Sequence, residues 1–563
     1  MPGRRLYYSQ DLKEKQVISR LVKSNIFSGK PTQSIAAAAF IISLAGVASR
    51  LLGLVRDRIL ASTFGAGDIL DAYYAAFRVP DLVYNLLILG ALSAAFIPVF
   101  TQLISKDKEE EAWDLASGVL NLQIIIMGIL VVLLAINAPF VMQAITPGFG
   151  EEKMQLTVLL TRIMFLSPLI LGISGIFGGV LVSMKKFFIY SLAPIMYNIG
   201  IIFGAVFLVR FMGPVGLAWG VVLGALLHML IQYPAVKLSG FKFHLMPAKS
   251  LRNKDVIRVI HLMVPRMLGV AVNQINFLVI TIFASTLAAG SLAVFTFANN
   301  IQSTPLGLFG VSFAIAVFPT LSAYYAKEEK AKFAHAFSRT FRQVLFFVIP
   351  ISILIYVLRA QIVRVVLGAG NFDWEDTILT FTTLGYLTAS LFAQALIPLL
   401  ARSFYAIQNT KTPFYVALFS EAVNILLVFL LIGRFQILGL AIAFSVSSVV
   451  NMSLLLVFLR RNFENLEEKQ IAKAVLKIAI AALGAGAAAQ FGKIVVGTRG
   501  ELDTFMAILT QLVVAGGFGA AAFSLLCYYL KVEEFFSFTQ SVTRKLFKAK
   551  KHIAEDTGDV TGL

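Results

Sequence analysis

Long apolar runs recur fourteen times along this chain, and their recurrence constrains the fold more than any other feature. A bilayer's hydrocarbon core is about 30 Å thick, so one helix needs about 20 apolar residues to cross it. The first six runs lie near 33–62, 72–103, 113–145, 154–183, 187–211 and 214–238. Six more lie near 257–288, 292–325, 334–360, 377–408, 412–433 and 437–460, and a last pair near 470–495 and 503–531. Composition agrees. The 563 residues are 58% hydrophobic and 14% charged, against about 45–50% and 25% in soluble domains. Little is left for an extramembrane domain. A soluble enzyme, a secreted disulfide scaffold and a disordered protein are excluded. The expected fold is an all-α integral membrane protein of about 14 transmembrane helices.

Net charge is +18, from 48 Lys and Arg against 30 Asp and Glu. In a soluble chain this would suggest nucleic acid. Here cytoplasmic loops account for it, because basic residues crowd the inner side of membrane proteins; no nucleic-acid partner is expected. With the N-terminus inside, the even-numbered connections hold Lys106 and Lys108, Lys185 and Lys186, Lys237 to Lys254, Lys327 to Lys332, Lys411, and Arg460 with Arg461. The odd-numbered stretches Gly65–Asp68 and Leu287–Ser291 hold no Lys or Arg. The bias predicts both termini in the cytoplasm. No removable signal peptide is expected from the polar start. The basic C-terminal stretch Arg544 to Lys551 fits either an inner-leaflet contact or a solvated tail. Cys527 is the one cysteine; it reads as a small buried hydrophobe.

The first twelve runs form two similar halves. Ser49-Arg50-Leu51-Leu52-Gly53 matches Pro265-Arg266-Met267-Leu268-Gly269, and Phe96-Ile97-Pro98 matches Val317-Phe318-Pro319. Asn198, Arg210 and Gly216-Leu217-Ala218 match Asn424, Arg434 and Gly439-Leu440-Ala441, at offsets of 226, 224 and 223 residues. Six spans are an even number, so the repeat is parallel, as in transporters whose halves enclose a midplane site. The expected organisation is a basic segment (1–32), an N-terminal six-helix lobe (33–240), a C-terminal six-helix lobe (241–462), an extra helix pair (463–531) and a cytoplasmic tail (532–563).

Spans one and two carry Arg50, Arg56, Asp57, Arg58, Asp71, Arg78 and Asp81. A charge at a helix centre costs about 2.5–3.5 kcal/mol on insertion scales, so such residues face a wet cavity or pair with one another. Arginine suits bidentate phosphate recognition, so the cluster points to an anionic head group. Arg50 and Arg56 are six apart and share no clean helical face; a break at Gly53 would bring them together. The alternative for Arg56, Asp57 and Arg58 is an outer interface position with snorkelling side chains.

The segment Ser49-Arg50-Leu51-Leu52-Gly53-Leu54-Val55-Arg56-Asp57 resembles the opening signature of the MurJ/MviN lipid II flippases. So do Phe64-Gly65-Ala66-Gly67, Asp71-Ala72-Tyr73-Tyr74-Ala75-Ala76-Phe77-Arg78-Val79-Pro80 and Gly90-Ala91-Leu92-Ser93-Ala94-Ala95-Phe96-Ile97-Pro98. Pro305-Leu306-Gly307-Leu308-Phe309-Gly310-Val311, Phe404-Tyr405-Ala406 and Thr410-Lys411-Thr412-Pro413 extend the likeness over about 33–531. The resemblance implies the fourteen-helix fold of the multidrug and polysaccharide exporters, and export of undecaprenyl-pyrophosphate-linked peptidoglycan precursor (lipid II) across the bacterial cytoplasmic membrane. The family's essential arginines and aspartate map onto Arg50, Arg56, Asp57 and Asp71. Tyr84 and Leu89 stand where the family often has Arg and Glu, and Asn300 stands at an essential arginine of span eight. Arg266, in the repeat position of Arg50, is expected to supply the missing phosphate contact, or to cap carbonyls freed by Pro265. Spans thirteen and fourteen, rich in Ala and Gly, are expected to form an apolar groove for the polyprenyl tail, or else a peripheral stabilising pair.

Glu421, Asn424 and Asn451 form a polar set in spans eleven and twelve: a candidate cation or proton site, or a structural hydrogen-bond set. Arg162 is a cavity residue or an interface anchor. The five histidines show no ligand spacing, and no phosphate-cradling glycine loop occurs. No cofactor is expected; coupling to the membrane potential, Na+ or H+ is open. Competing readings are an exporter of other lipid-linked sugars or drugs, a polyprenyl-phosphate transferase and a membrane scaffold. No long loop or acidic metal cluster supports the transferase, and a scaffold has no need of intramembrane arginines.

Overall fold

The computed structural model describes residues 35–89, 95–244, 253–498, 504–541 and 543. All regular structure among them is helical. The first eleven helices are α1 (Ile35–Phe64), α2 (Asp68–Tyr84), α3 (Ile97–Ser105), α4 (Glu109–Ile136), α5 (Ala138–Ile145), α6 (Glu151–Met164), α7 (Leu166–Ser183), α8 (Phe187–Phe203), α9 (Val209–Met212), α10 (Val215–Leu238) and α11 (Lys254–Ser285). Then follow α12 (Ser291–Pro305), α13 (Ser312–Ala326), α14 (Lys330–Val366), α15 (Trp374–Thr388), α16 (Leu391–Ala406), α17 (Lys411–Phe435), α18 (Ile437–Arg460), α19 (Glu468–Gly497) and α20 (Phe505–Tyr529). Among the described residues, ten helical segments are long and apolar enough to cross a membrane. The pair α15 and α16, bent by 45° at Ala389–Ser390, makes an eleventh if it is one span. Apolar length among the described residues therefore accounts for ten or eleven of the fourteen expected spans. The 30-residue α1 and 32-residue α11 are long enough to span, but each carries several charges.

The chain divides into two compact units, residues 1–293 with 370–372, and 294–369 with 373–563. Thus α11, expected from the repeat to open the second lobe, packs with the first unit. The repeat is visible in the turns. Residues with left-handed φ occur at Gly65, Asp107, Lys185 and Gly213, and again at Gly290, Glu328, Gln408 and Gln436, offsets of 225, 221, 223 and 223. A positive φ turns the chain sharply out of a helix, so the two halves turn back at matched places. Matched π-helical turns, Asn85–Leu89 and Leu306–Val311, follow α2 and α12.

Unit one is stitched by small residues. A methyl at Gly200 of α8 would sit 2.2 Å from Gly224 Cα of α10, and one at Gly204 would sit 2.4 Å from Gly220 Cα. Glycines four apart on both helices let the backbones touch, the usual way apolar helices pack in lipid, where no hydrophobic force separates helix from tail. Phe96, Phe100 and Phe177 are buried, with Trp113 against Phe100. Unit two has a like core around Phe333, Phe337 and Phe404. Near its end, Arg342 of α14 donates to Glu534 at 2.7 Å and to Glu533 at 3.0 Å, tying the segment after α20 to the bundle.

Candidate functional site

The break expected at Gly53 is absent: α1 runs unbroken from Ile35 to Phe64. A methyl at Gly53 would meet only Asn198 Oδ1, at 4.0 Å. At that distance a methyl makes only an ordinary contact, so the glycine neither bends the helix nor is required by its neighbours. Six residues turn a helix by about 600°, so Arg50 and Arg56 leave α1 about a third of a turn apart. Arg50 is half-buried.

Arg56 is the centre of a buried polar junction. Its Nε and Nη2 donate to Asp57 Oδ1 at 3.0 and 2.8 Å, and its Nη1 donates to Asn198 Oδ1 of α8 at 3.2 Å. Asn198 in turn donates to Pro194 O at 3.0 Å and to Ser49 Oγ at 3.4 Å. Asp57 is 2% exposed, while the Arg56 side chain keeps 22% of its surface open. The two side chains therefore pair with each other inside the first unit. Arg56 is a neutralised arginine, oriented by two neighbours.

On α2, Arg78 donates Nε to Thr281 Oγ1 of α11 at 2.8 Å, and its guanidinium carbon lies 5.5 Å from the centre of the Phe277 ring. Beneath Asp81 and Tyr84 lies a cavity of about 10 Å³, room for one water. Asp71, 1% exposed, accepts from three groups at once. Lys153 Nζ of α6 and Gly290 N donate to Oδ2, each at 2.8 Å, and Ala293 N donates to Oδ1 at 2.9 Å. Lys153 also pairs with Asp68 at 2.7 Å and lies 4.1 Å over the Phe149 ring. The carboxylate thus caps the start of α12, where free N–H groups and the helix dipole favour an anion. Gly290 makes this approach possible: its φ is +85°, and a Cβ there would lie 1.9 Å from Ala66 O.

Arg266 lies on α11, and its side chain is outside the described residues. In unit two, Asn300 is half-buried on α12, where its carbonyl accepts from Ser303 Oγ at 3.0 Å. Asn424 donates to Glu421 at 3.3 Å, and both are buried. The Oδ1 atoms of Asn424 and Asn451 are buried without a hydrogen-bond partner. Arg162 is exposed and donates to Ala135 O at 3.0 Å, fastening the end of α4. His228 bonds Ser174 at 2.7 Å between α7 and α10. No group of three His, Cys, Asp or Glu that would hold a metal occurs among the described residues. Lys153 and Thr281 were not singled out from sequence. A lysine closely following two glutamates reads as a loop charge, and a threonine in an apolar run carries no signal at all.

A family model described as lipid II flippase MurJ matches residues 60–510. A probable lipid II flippase MurJ of Buchnera aphidicola subsp. Acyrthosiphon pisum (strain APS) is 32% identical over 422 residues, 74% of this chain and 81% of the relative. One from Vibrio cholerae serotype O1 is 31% identical over 453 residues, 78% of this chain and 83% of the relative. A solved lipid II flippase MurJ in an inward closed conformation superposes with a TM-score of 0.71 at 26% identity, covering 87% of this chain and 99% of that one. An inward-facing MATE multidrug transporter, 16% identical with a TM-score of 0.63 over 75% of this chain and 96% of that one, shares the fold.

Proposed function

The chain belongs to the MurJ family of lipid II flippases, and from that premise we propose that it carries undecaprenyl-pyrophosphate-linked peptidoglycan precursor from the inner to the outer leaflet of a bacterial cytoplasmic membrane. It works as a transporter and not as an enzyme. Both termini lie in the cytoplasm, and transport proceeds by alternating access. The observation that carries the reading is the Arg56 junction. A membrane-embedded arginine is costly unless paired. Here Asp57 and Asn198 hold its fork in place, and the side chain as a whole keeps 22% of its surface open. Arg56 has five N–H donors and spends three of them on Asp57 and Asn198, so an arriving pyrophosphate takes the other two while Asp57 keeps its partner. Arg50 and Arg78 are the further phosphate contacts, and Arg266 is proposed to join them. Asp71 acts at one remove, by fixing the start of α12. Energy comes from the membrane potential, Na+ or H+, with Glu421, Asn424 and Asn451 as the coupling set: one carboxylate and two unpartnered amide oxygens suit a small hard cation.

Expression in a strain depleted of its own lipid II flippase tests this. Growth should be restored, and Arg50→Ala with Arg56→Ala should abolish it while the protein still reaches the membrane. Normal growth of that double variant, or of Arg266→Ala, overturns the corresponding assignment. A second reading, export of another lipid-linked oligosaccharide, rests on Tyr84, Leu89 and Asn300, which depart from the family pattern. Correct insertion without rescue, together with rescue by Tyr84→Arg, Leu89→Glu and Asn300→Arg, favours it.

A further inference from the structure

Unit two contains an apolar groove of about 450 Å³, within the range of about 300–1,000 Å³ typical of ligand sites. Its walls are Ile349, Ile353 and Val357 of α14 and Leu483 and Ala487 of α19, and the bend at Ala389 forms its floor. Two cations stand at one end. Lys493 Nζ donates to Val357 O at 3.2 Å, and Arg359 Nη1 donates to Tyr356 O at 2.6 Å. The Arg359 guanidinium also lies 4.5 Å from the Tyr356 ring centre and 5.8 Å from that of Phe381. Val357 and Tyr356 both line the groove. Neither cation pairs with an acidic side chain among the described residues, and the two bond the carbonyls of adjacent residues of α14. Basic side chains that only anchor a helix end reach outward to water. These two turn back onto the carbonyls of the groove wall.

The dimensions name the occupant. Leu483 to Lys493 is ten residues of α19, and Ile349 to Arg359 is ten residues of α14. At 1.5 Å per residue each stretch is about 15 Å, half of a hydrocarbon core of about 30 Å. The lining on α14 runs from Ile349 to Val357, about 12 Å at 1.5 Å per residue, so the groove together with the cations at its mouth is about one leaflet deep. We propose that it is a binding site for an anionic glycerophospholipid. An acyl chain lies along Leu483 and Ile353, and the phosphodiester sits between Lys493 and Arg359. The mouth is at the end of α14 remote from Lys327 and Lys330, so under the proposed orientation the lipid belongs to the outer leaflet. A polyprenyl tail fits less well, being far longer than one leaflet is deep. The site uses no residue of α1 or α2, so it stands apart from the pyrophosphate assignment.

The test uses the full-length protein in nanodiscs of mixed phosphatidylglycerol and phosphatidylethanolamine, with retained lipid counted by native mass spectrometry. Phosphatidylglycerol should be retained in preference. Arg359→Gln with Lys493→Gln should lower its retention about tenfold, and Ala487→Phe, which fills the groove, should do the same. The charge-keeping exchange Arg359→Lys with Lys493→Arg should retain it, which separates lost charge from lost fold. Arg50→Ala with Arg56→Ala should leave retention unchanged whatever it does to growth. Equal retention of both lipids, undiminished phosphatidylglycerol in the double Gln or Phe variants, displacement by undecaprenyl phosphate at lower concentration, or a second protein copy in the groove would each overturn the proposal.

Discussion

Lys153→Met removes the cation from a buried carboxylate and shows what the cap on α12 is worth. Asp71 is 1% exposed, and the Lys153 side chain is 13% exposed. Removing one partner of a buried pair costs about 3–5 kcal/mol, because the other charge is left in a poor solvent. Asp71 keeps two backbone donors, Gly290 N and Ala293 N, and hydrogen bonds to a charged group contribute about 1.5–3 kcal/mol each. The loss therefore falls at the low end, about 3 kcal/mol, or roughly a hundredfold in the unfolding equilibrium. The bond to Asp68 adds little, since that side chain is 64% exposed. Adding Asp71→Asn to Lys153→Met removes the stranded charge, so the double variant should be more stable than the lysine variant alone. The assay is denaturant unfolding in detergent micelles, followed by circular dichroism, on both single variants and the double. A coupling of at least about 1 kcal/mol is expected. Additivity within about 0.5 kcal/mol would refute the claim that this pair acts as one unit.

Gly290→Ala places a methyl against Ala66 O at a positive φ and should lower the folded yield, at about 1–3 kcal/mol for the strained backbone alone. Gly53→Ala, with open space around it, should instead raise stability by up to about 1 kcal/mol through helix propensity; a matched pair of thermal unfolding curves checks both. Arg342→Ala leaves Glu534 buried without its partner and should free the segment after α20, seen as faster proteolysis beyond Tyr529 with the rest of the chain intact. Arg56→Lys keeps the charge but loses the fork, so growth rescue should fall between that of the wild type and Arg56→Ala.

Much of the architecture follows from local pattern. A run of apolar residues long enough to cross a bilayer has one way to bond its own backbone, so α4, α8, α10, α17 and α18 begin and end within a few residues of the charges and turn residues that bound them. The repeat is equally local in origin: matched Asn, Arg and Gly-Leu-Ala sets foretell matched turns at Gly213 and Gln436. The arginines of spans one and two stand out because any charge inside lipid demands a reason. What those charges do was decided elsewhere. Arg56 meets Asn198 across 142 residues of chain, Arg78 meets Thr281 across 203, and Asp71 meets Lys153 and Gly290 across 82 and 219. Periodicity reports which face of a helix is polar, not which helix it meets. That depends on how closely backbones approach, at Gly200 and Gly224 or at Gly290 and Ala66, and those approaches exist only once the helices are packed. The unbroken α1 teaches the same lesson, for a glycine reads alike in sequence whether it bends a helix or sits within a straight one. The cationic mouth of the groove arises for that reason too, since Lys493 and Arg359 share a site only because α19 packs on α14.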